Sequence, residues 1–339
     1  LATIDRRGRR LWVYPNKPRG ILYRWRTIVS WFLLAILFGT PFVRIDGSPL
    51  LLLDIINRRF FIFGHIFWPQ DFFLFVLGGI WLVLLIILFT AAFGRLFCGW
   101  LCPQTIFLEM VFREIEYFIE GNGPRQRELD KRPMDADKFI RKSLKHVIFF
   151  GLSFLIGNLL LSYFVGTERL WQIITDPPAQ HITGLVAMII FSGIFYFIFS
   201  WFREQACTLV CPYGRLQSVL LDNNSIVIAY DFNRGEPRGP MERGAVHPDR
   251  GHCIDCEACV RVCPTGIDIR NGTQLECVNC SACIDACDRV MDRIKLPRGL
   301  IRYTSWDRIV SGRPYRFTAR MTLYSIALTL LTGLILFFL

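Results

Sequence analysis

Cys253-Ile-Asp-Cys256-Glu-Ala-Cys259-Val-Arg-Val-Cys263-Pro264 and Cys277-Val-Asn-Cys280-Ser-Ala-Cys283-Ile-Asp-Ala-Cys287-Asp288 are the two runs whose reading decides the fold. Each is C-x2-C-x2-C-x3-C, and together they hold eight of the twelve cysteines. That spacing wraps a cubane iron–sulfur cluster: three close thiolates surround one cluster, and the fourth ligates the other. The first cluster is therefore expected on Cys253, Cys256, Cys259 and Cys287, and the second on Cys277, Cys280, Cys283 and Cys263. Disulfides or structural zinc use the same residue type, but the doubled pattern argues against both. Two 4Fe–4S clusters carry single electrons, so the chain is expected to move electrons.

The surrounding sequence is too apolar for an ordinary soluble protein of 339 residues: 53% is hydrophobic, with thirty Phe and nine Trp. Long uncharged runs account for this and read as membrane spans. The expected spans are 27–43, entered from Leu22 with Arg24 and Arg26 snorkelling, then 72–93, 147–165, 182–202 and 321–339. The expected fold is mainly α: a polytopic bundle of about five spans with a cytoplasmic, bacterial-ferredoxin-like two-cluster domain. By domain, 1–26 is a basic N-terminus, 27–202 a four-span bundle in two hairpin repeats, 203–320 the cluster domain with its core at 250–290, and 321–339 a fifth span. Within 94–145, Gln104 to Glu120 alternates apolar and polar residues at helical spacing and reads as an amphipathic surface helix. Residues 44–71 and 167–181 read as loops, the first with an apolar interfacial piece from Phe60 to Trp68. The chain starts at Leu1, so a few residues including the initiator Met are expected to be missing.

The net charge of +11 sits in particular segments. Lys and Arg number 8 in 1–27, 3 in 44–71, 10 in 94–145, 1 in 167–181 and 17 in 203–320. Alternate segments thus hold 35 against 4. By the positive-inside rule the N-terminus, the 94–145 segment and the cluster domain are cytoplasmic and the C-terminus lies outside. The basic charge needs no nucleic-acid partner, because no base-stacking or groove-reading motif accompanies it.

The remaining four cysteines form a weak internal repeat. The second span leads into Cys98-Gly-Trp-Leu-Cys102-Pro103, and the fourth into Cys207-Thr-Leu-Val-Cys211-Pro212. A four-residue step puts both sulfurs on one helix face, and the proline suits the first turn of a following helix. If the two hairpins pack pseudo-symmetrically, four thiols converge. Buried inert thiols are the bland alternative, weakened by the duplication. Soft thiolates select copper(I), zinc or iron–sulfur. Zinc does no redox work. Copper fits if the clusters supply electrons, and a third iron–sulfur cluster is the rival.

Other signals are weaker. No pair of intramembrane histidines supports a b-type haem. His247 and His252 flank the first cluster loop and read as packing or tuning groups. Trp68 to Asp71 reads as an interfacial anchor, and Gly235 to Pro240 as a rigid linker. No glycine-rich dinucleotide fingerprint occurs, so nicotinamide or flavin binding is not expected.

Several stretches together resemble the CcoG/FixG family of membrane iron–sulfur accessory proteins for cbb-type haem–copper oxidases. They are Phe67 to Asp71, Cys98 to Thr105, Arg203-Glu-Gln, Cys207 to Tyr213, Arg234 to Pro240, Cys263 to Arg270 and Pro297 to Tyr303. The resemblance implies a bacterial cytoplasmic-membrane protein that reduces Cu(II) to Cu(I) for the oxidase copper centre. It also implies oxidase assembly factors and copper carriers as partners, beside the lipid bilayer and an unidentified electron donor. The family usually carries a β-sandwich after the last span, where this sequence ends at Leu339. The competing hypothesis is an electron-transfer subunit resembling polyferredoxin-type quinol dehydrogenases, which share C-x3-C-P spans.

Overall fold

The computed structural model describes residues 3–5, 7–45, 48–54, 59–62, 65–67, 72–177, 181–240, 250–312 and 314–338. The expected anchor at Trp68 to Asp71, together with Pro178 and His247, lies outside the described residues. Five helices are long and apolar enough to cross a membrane: Ile21–Phe42, Phe73–Phe93, Ala136–Val165, Ile182–Phe202 and Ala319–Phe338. The fold is mainly α, as expected, with all five spans near their expected places.

Contacts divide the chain into two compact units that cut across the linear domain plan. One comprises Leu1–Ser30, Leu84–Pro133 and Glu204–Leu328; the other comprises Trp31–Val83, Met134–Arg203 and Thr329–Leu339. Residues 84–133, expected in the membrane bundle, therefore belong with the cluster domain.

The second unit is built on spans three and four. Gly157 lets them close up, since a Cβ there would meet Ser192 Oγ at 3.2 Å. Ser153 and Ser192 are fully buried beside it, so small residues let the backbones approach, as membrane helices do without a hydrophobic drive. Tyr163 donates to the Leu37 carbonyl at 2.6 Å, and Trp81 Nε1 donates to Thr332 Oγ1 at 2.8 Å. The third span begins at Ala136, eleven residues before its expected start, because Asp135 caps it by accepting from the Lys138 N–H. Its charged first turns satisfy their own backbone, so the helix need not stop where the apolar run stops. Two expected loops are ordered. Residues 167–181 contain a helix, Thr167–Thr175. Residues 44–71 contain an antiparallel meander of Leu51–Asp54, Arg59–Ile62 and His65–Phe67, with Leu52 opposite Phe61 and Phe61 opposite Ile66.

The first unit has a mixed core. The strands Val227–Tyr230 and Ile301–Thr304 pair antiparallel, Ile228 opposite Tyr303. They pack on Ile267, Ile269, Ile284, Met291 and Leu300 together with Cys253, Cys259 and Cys287. The expected surface helix 104–120 is instead a core helix. It runs through Pro103–Ile106, a π-helical turn Phe107–Phe112 and Arg113–Ile119. Ile106, Phe107, Leu108, Met110 and Phe112 are buried, and so are the charged Glu109, Arg113 and Glu116. Sequence alternation suggested one wet face, but ion pairs within the unit bury that face too: Arg113 reaches Glu109 at 3.0 Å and Glu204 at 3.6 Å. Arg26 also departs from expectation. It is buried rather than snorkelling, and its Nε donates to the Gly99 carbonyl at 2.7 Å.

Candidate redox site

The two cysteine runs fold into the same loop twice. In each, the residue two after the first cysteine and the residue after the second adopt left-handed backbone: Asp255 and Glu257 at φ 53° and 54°, Asn279 and Ser281 at 53° and 64°. Four non-glycine residues at positive φ carry a cost, and they repeat in register. In the second loop the N–H groups of Asn279 and Ala282 turn inward to the sulfurs of Cys277 and Cys280, the arrangement that cradles anionic groups.

Each loop walls a cavity, and the fourth wall comes from the other run. One cavity is lined by Cys253, Cys256, Cys259 and Cys287, with Tyr230, Arg270 and Met291. The other is lined by Cys277, Cys280, Cys283 and Cys263, with Ile228, Pro264 and Ile267. Both are narrow spaces walled by sulfur and mostly apolar side chains. Burial pushes the thiols of Cys259, Cys277 and Cys287 up to about 12 and that of Cys280 up to about 11. Such thiols become thiolates only against a compensating positive charge, as bound iron supplies. Four sulfurs per cavity, apolar walls and inward N–H groups fit two 4Fe–4S clusters. The supposed linker 235–240 is part of this architecture: Cys253 N–H donates to the Gly235 carbonyl, and Gly239 N–H donates to the Cys253 carbonyl at 3.1 Å. His252 is held by Arg234, whose Nε donates to its Nδ1 at 2.9 Å.

The C-x3-C-P segments are also copies in backbone. Gly94 and Arg203, each four residues before the first cysteine, have φ 57° and 49°. Cys102 N–H donates to the Phe97 carbonyl, and Cys211 N–H to the Ala206 carbonyl, both at 2.9 Å. Cys102 and Cys211 then cap the next helices, with Pro103 and Pro212 at the first position. Sequence displayed the cysteines and prolines of this repeat but hid the left-handed position, because glycine fills it once and arginine the other time.

The copies interlock within the first unit. The second copy's helix holds the first copy's turn: Gln217 Oε1 accepts from Cys98 Sγ at 3.0 Å and from Arg95 Nε at 3.2 Å, and Tyr213 meets Phe97 edge-on. In return, Arg113 on the first copy's helix approaches Glu204 in the second copy's turn, which also binds Arg10 at 3.2 Å. The four thiols are thereby brought within electrostatic reach. Burial pushes Cys98 up to about 11, against the pull of Arg95, with Cys102 and Cys211 adding to the rise. Burial pushes Cys207 up to about 12, helped by Cys102, Cys98 and Cys211 and opposed by Thr105. Among the described residues, no three Cys, His, Asp or Glu side chains are drawn around one point as tightly as ligands of a single ion. Among the described residues, the buried amide nitrogens Gln104 Nε2, Gln217 Nε2 and Asn279 Nδ2 find no hydrogen-bond partner.

The first turn touches the second cluster loop directly. A Cβ on Gly99 would lie 2.5 Å from the Val278 carbonyl oxygen and 2.7 Å from that of Asn279. Only glycine permits that approach. Cys98 shares one apolar cluster with Cys280, Val278 and Val262. Trp100 donates to Tyr303, which donates to the Asn279 carbonyl at 3.0 Å. Gly99, Arg95, Gln217 and Arg113 were not foreseen as site residues. Only the Cys98-Gly pair offered a signal, a glycine where the second copy has Thr208.

Residues 202–306 match a 4Fe-4S dicluster domain family, and residues 74–122 match a 4Fe-4S binding domain family. Apolar spanning helices joined to these domains define a membrane-bound iron–sulfur electron-transfer protein. Over 310 residues the chain is 37% identical to the nitrogen fixation protein FixG of Rhizobium meliloti, covering 86% of this chain and 57% of that protein. Over 302 residues it is 37% identical to protein RdxA of Cereibacter sphaeroides, covering 85% of this chain and 62% of the relative. RdxB of the same organism aligns to the same extent. The chain belongs to the CcoG/FixG-type family and spans about three-fifths of the length of these relatives. No solved structure matches it.

Proposed function

We propose that the chain is a cupric reductase of a bacterial cytoplasmic membrane, serving assembly of a cbb-type haem–copper oxidase. Cys253, Cys256, Cys259 and Cys287 hold one 4Fe–4S cluster, and Cys277, Cys280, Cys283 and Cys263 the other. When bound, such clusters store and release single electrons. Cys98, Cys102, Cys207 and Cys211 capture copper as substrate. A captured Cu(II) gains one electron and becomes Cu(I), which thiolates bind preferentially, and leaves for a copper carrier or assembly factor. The observation that carries this reading is the contact of Gly99 with Val278 and Asn279, which places the Cys98 turn against a cluster loop. The amide nitrogens of Gln104 and Gln217 supply donors for ligated sulfur.

The charge distribution supports a cytoplasmic cluster domain and an outer C-terminus. It is tested by labelling cysteines placed at positions 130 and 175 in intact cells; entry of an impermeant reagent at 130 would reverse the orientation.

Metal analysis and EPR on anaerobically purified protein test the function. Copper should accompany iron, and Cys98→Ser or Cys207→Ser should lose copper while keeping both cluster signals. Cys287→Ser should damage the cluster of Cys253, Cys256 and Cys259 first. Quinol-dependent reduction of the clusters in copper-free protein would favour the quinol-dehydrogenase alternative instead.

A further inference from the structure

A cavity of about 640 Å³ opens in the first unit beside the Cys263 loop. Its size falls within the roughly 300–1,000 Å³ of small-molecule sites. One wall is the N-terminal ribbon with Trp12, Tyr14 and Pro15, another is the helix Gly123–Lys131, and the floor is Val260, Cys263 and Gly266. The ribbon is firmly placed. Asn16 N–H donates to the Arg261 carbonyl at 2.7 Å, Lys17 N–H to Asn122 Oδ1 at 2.8 Å, and Tyr14 to Asp130. Gly123 lies so near that a Cβ would meet the Tyr14 carbonyl oxygen at 2.4 Å. The walls are thus tied together at both ends.

Two features give the cavity chemistry. Cys263 lines it and also lines the second cluster cage, so one residue separates the two spaces. Arg127 and Lys131, one helical turn apart, and Arg261 bring three cations to a cavity that also holds the carboxylates of Glu257 and of Glu128, the latter paired with Arg132.

We propose that this cavity binds a reduced flavin mononucleotide as the electron donor, its ring against Trp12 and Tyr14 and its phosphate on Arg127 and Lys131. The inference rests on the cluster assignment above. A one-electron acceptor needs a donor that can part with electrons singly. A nicotinamide delivers a hydride, whereas a reduced flavin gives up one electron and one proton at a time, two of each returning it to the oxidised form. The two electrons would leave one at a time, one for each cluster, entering through the centre that Cys263 would help to hold, and the two protons would pass to solvent at the cavity mouth. A glycine-rich fingerprint is not needed, because the anion-binding groups here are side chains from a helix face rather than a strand–turn–helix backbone.

The test uses the full chain, purified anaerobically, with iron content measured and both clusters reduced by dithionite as a reference. Photoreduced flavin mononucleotide is then mixed in stopped flow across a concentration series. Cluster reduction should saturate with donor concentration. Arg127→Ala/Lys131→Ala should raise the half-saturating concentration about tenfold by loss of charge-assisted contacts, while dithionite reduction stays unchanged. Trp12→Ala, in the opposite wall, should also raise it. Reduction that rises linearly without saturation, or equal half-saturation in all three proteins, overturns the donor site and leaves the clusters standing. Protein without iron would overturn the cluster assignment and the donor site together.

Discussion

The two C-x3-C-P turns share a backbone and differ in their neighbours, and the difference is what gives the pair a direction. Three residues before the first cysteine, one copy has Arg95 and the other Glu204, both buried. Arg95 reaches the Leu275 carbonyl on the approach to the second cluster loop; Glu204 receives Arg10 and Arg113. After the first cysteine, one copy has Gly99 and the other Thr208. Three residues after the second cysteine the exchange is reversed, Thr105 in one copy and Gly214 in the other. Each glycine marks where its own copy is pressed: Gly99 against the cluster loop, Gly214 against the Cys207 carbonyl, where a Cβ would lie at 2.7 Å. Duplication supplied two thiol pairs, and divergence pressed the backbone of the first, at Gly99, against the second cluster loop.

That asymmetry can be broken, starting with Gly99. In Gly99→Ala the new Cβ must displace two backbone carbonyls, neither able to swing aside, and about 3 kcal/mol or more should be lost. EPR of the purified variant should show the second cluster depleted before the first. Arg26→Ala comes next. It strips the Gly99 carbonyl of a charged donor in a buried place, costing about 2–3 kcal/mol, read as a lower thermal midpoint with the same preferential loss. Gly214→Ala should cost about 1–2 kcal/mol, because the clash at the Cys207 carbonyl is partly offset by roughly 1 kcal/mol of helix propensity. On the proposed reading its signature is weakened copper capture with both clusters intact. Thr208→Ala should change stability by less than about 0.5 kcal/mol, since this half-buried side chain makes only a long bond to the Glu204 carbonyl. Equal cluster loss in Gly99→Ala and Thr208→Ala would mean that the two turns are equivalent after all.

Much of this was legible in the sequence, for reasons that also explain the rest. Spans announce themselves because lipid tolerates few charges, so 72–93 and 182–202 could be bounded within a residue or two. The cysteine runs showed their loops because a cubane dictates ligand spacing. The helix 103–119 misled because periodicity reports which residues differ in polarity and cannot say that Glu109 and Arg113 find partners inside. Arg26 misled in the same way: a charge near the end of an apolar run ordinarily reaches water, but here a carbonyl waits for it. The cavity beside Cys263 was invisible because its walls come from residues 11–16, 123–131 and 257–266, which meet only after folding.

The close approach at Gly99 also sets an order of manufacture. The Cys98 turn takes its shape from a loop that needs iron to bring its own thiols to charge. A newly made chain starved of iron would therefore be unable to finish the turn that carries Cys98 and Cys102. On the proposed reading, iron supply becomes an upstream checkpoint on copper delivery, set by the close approach that one missing methyl group permits.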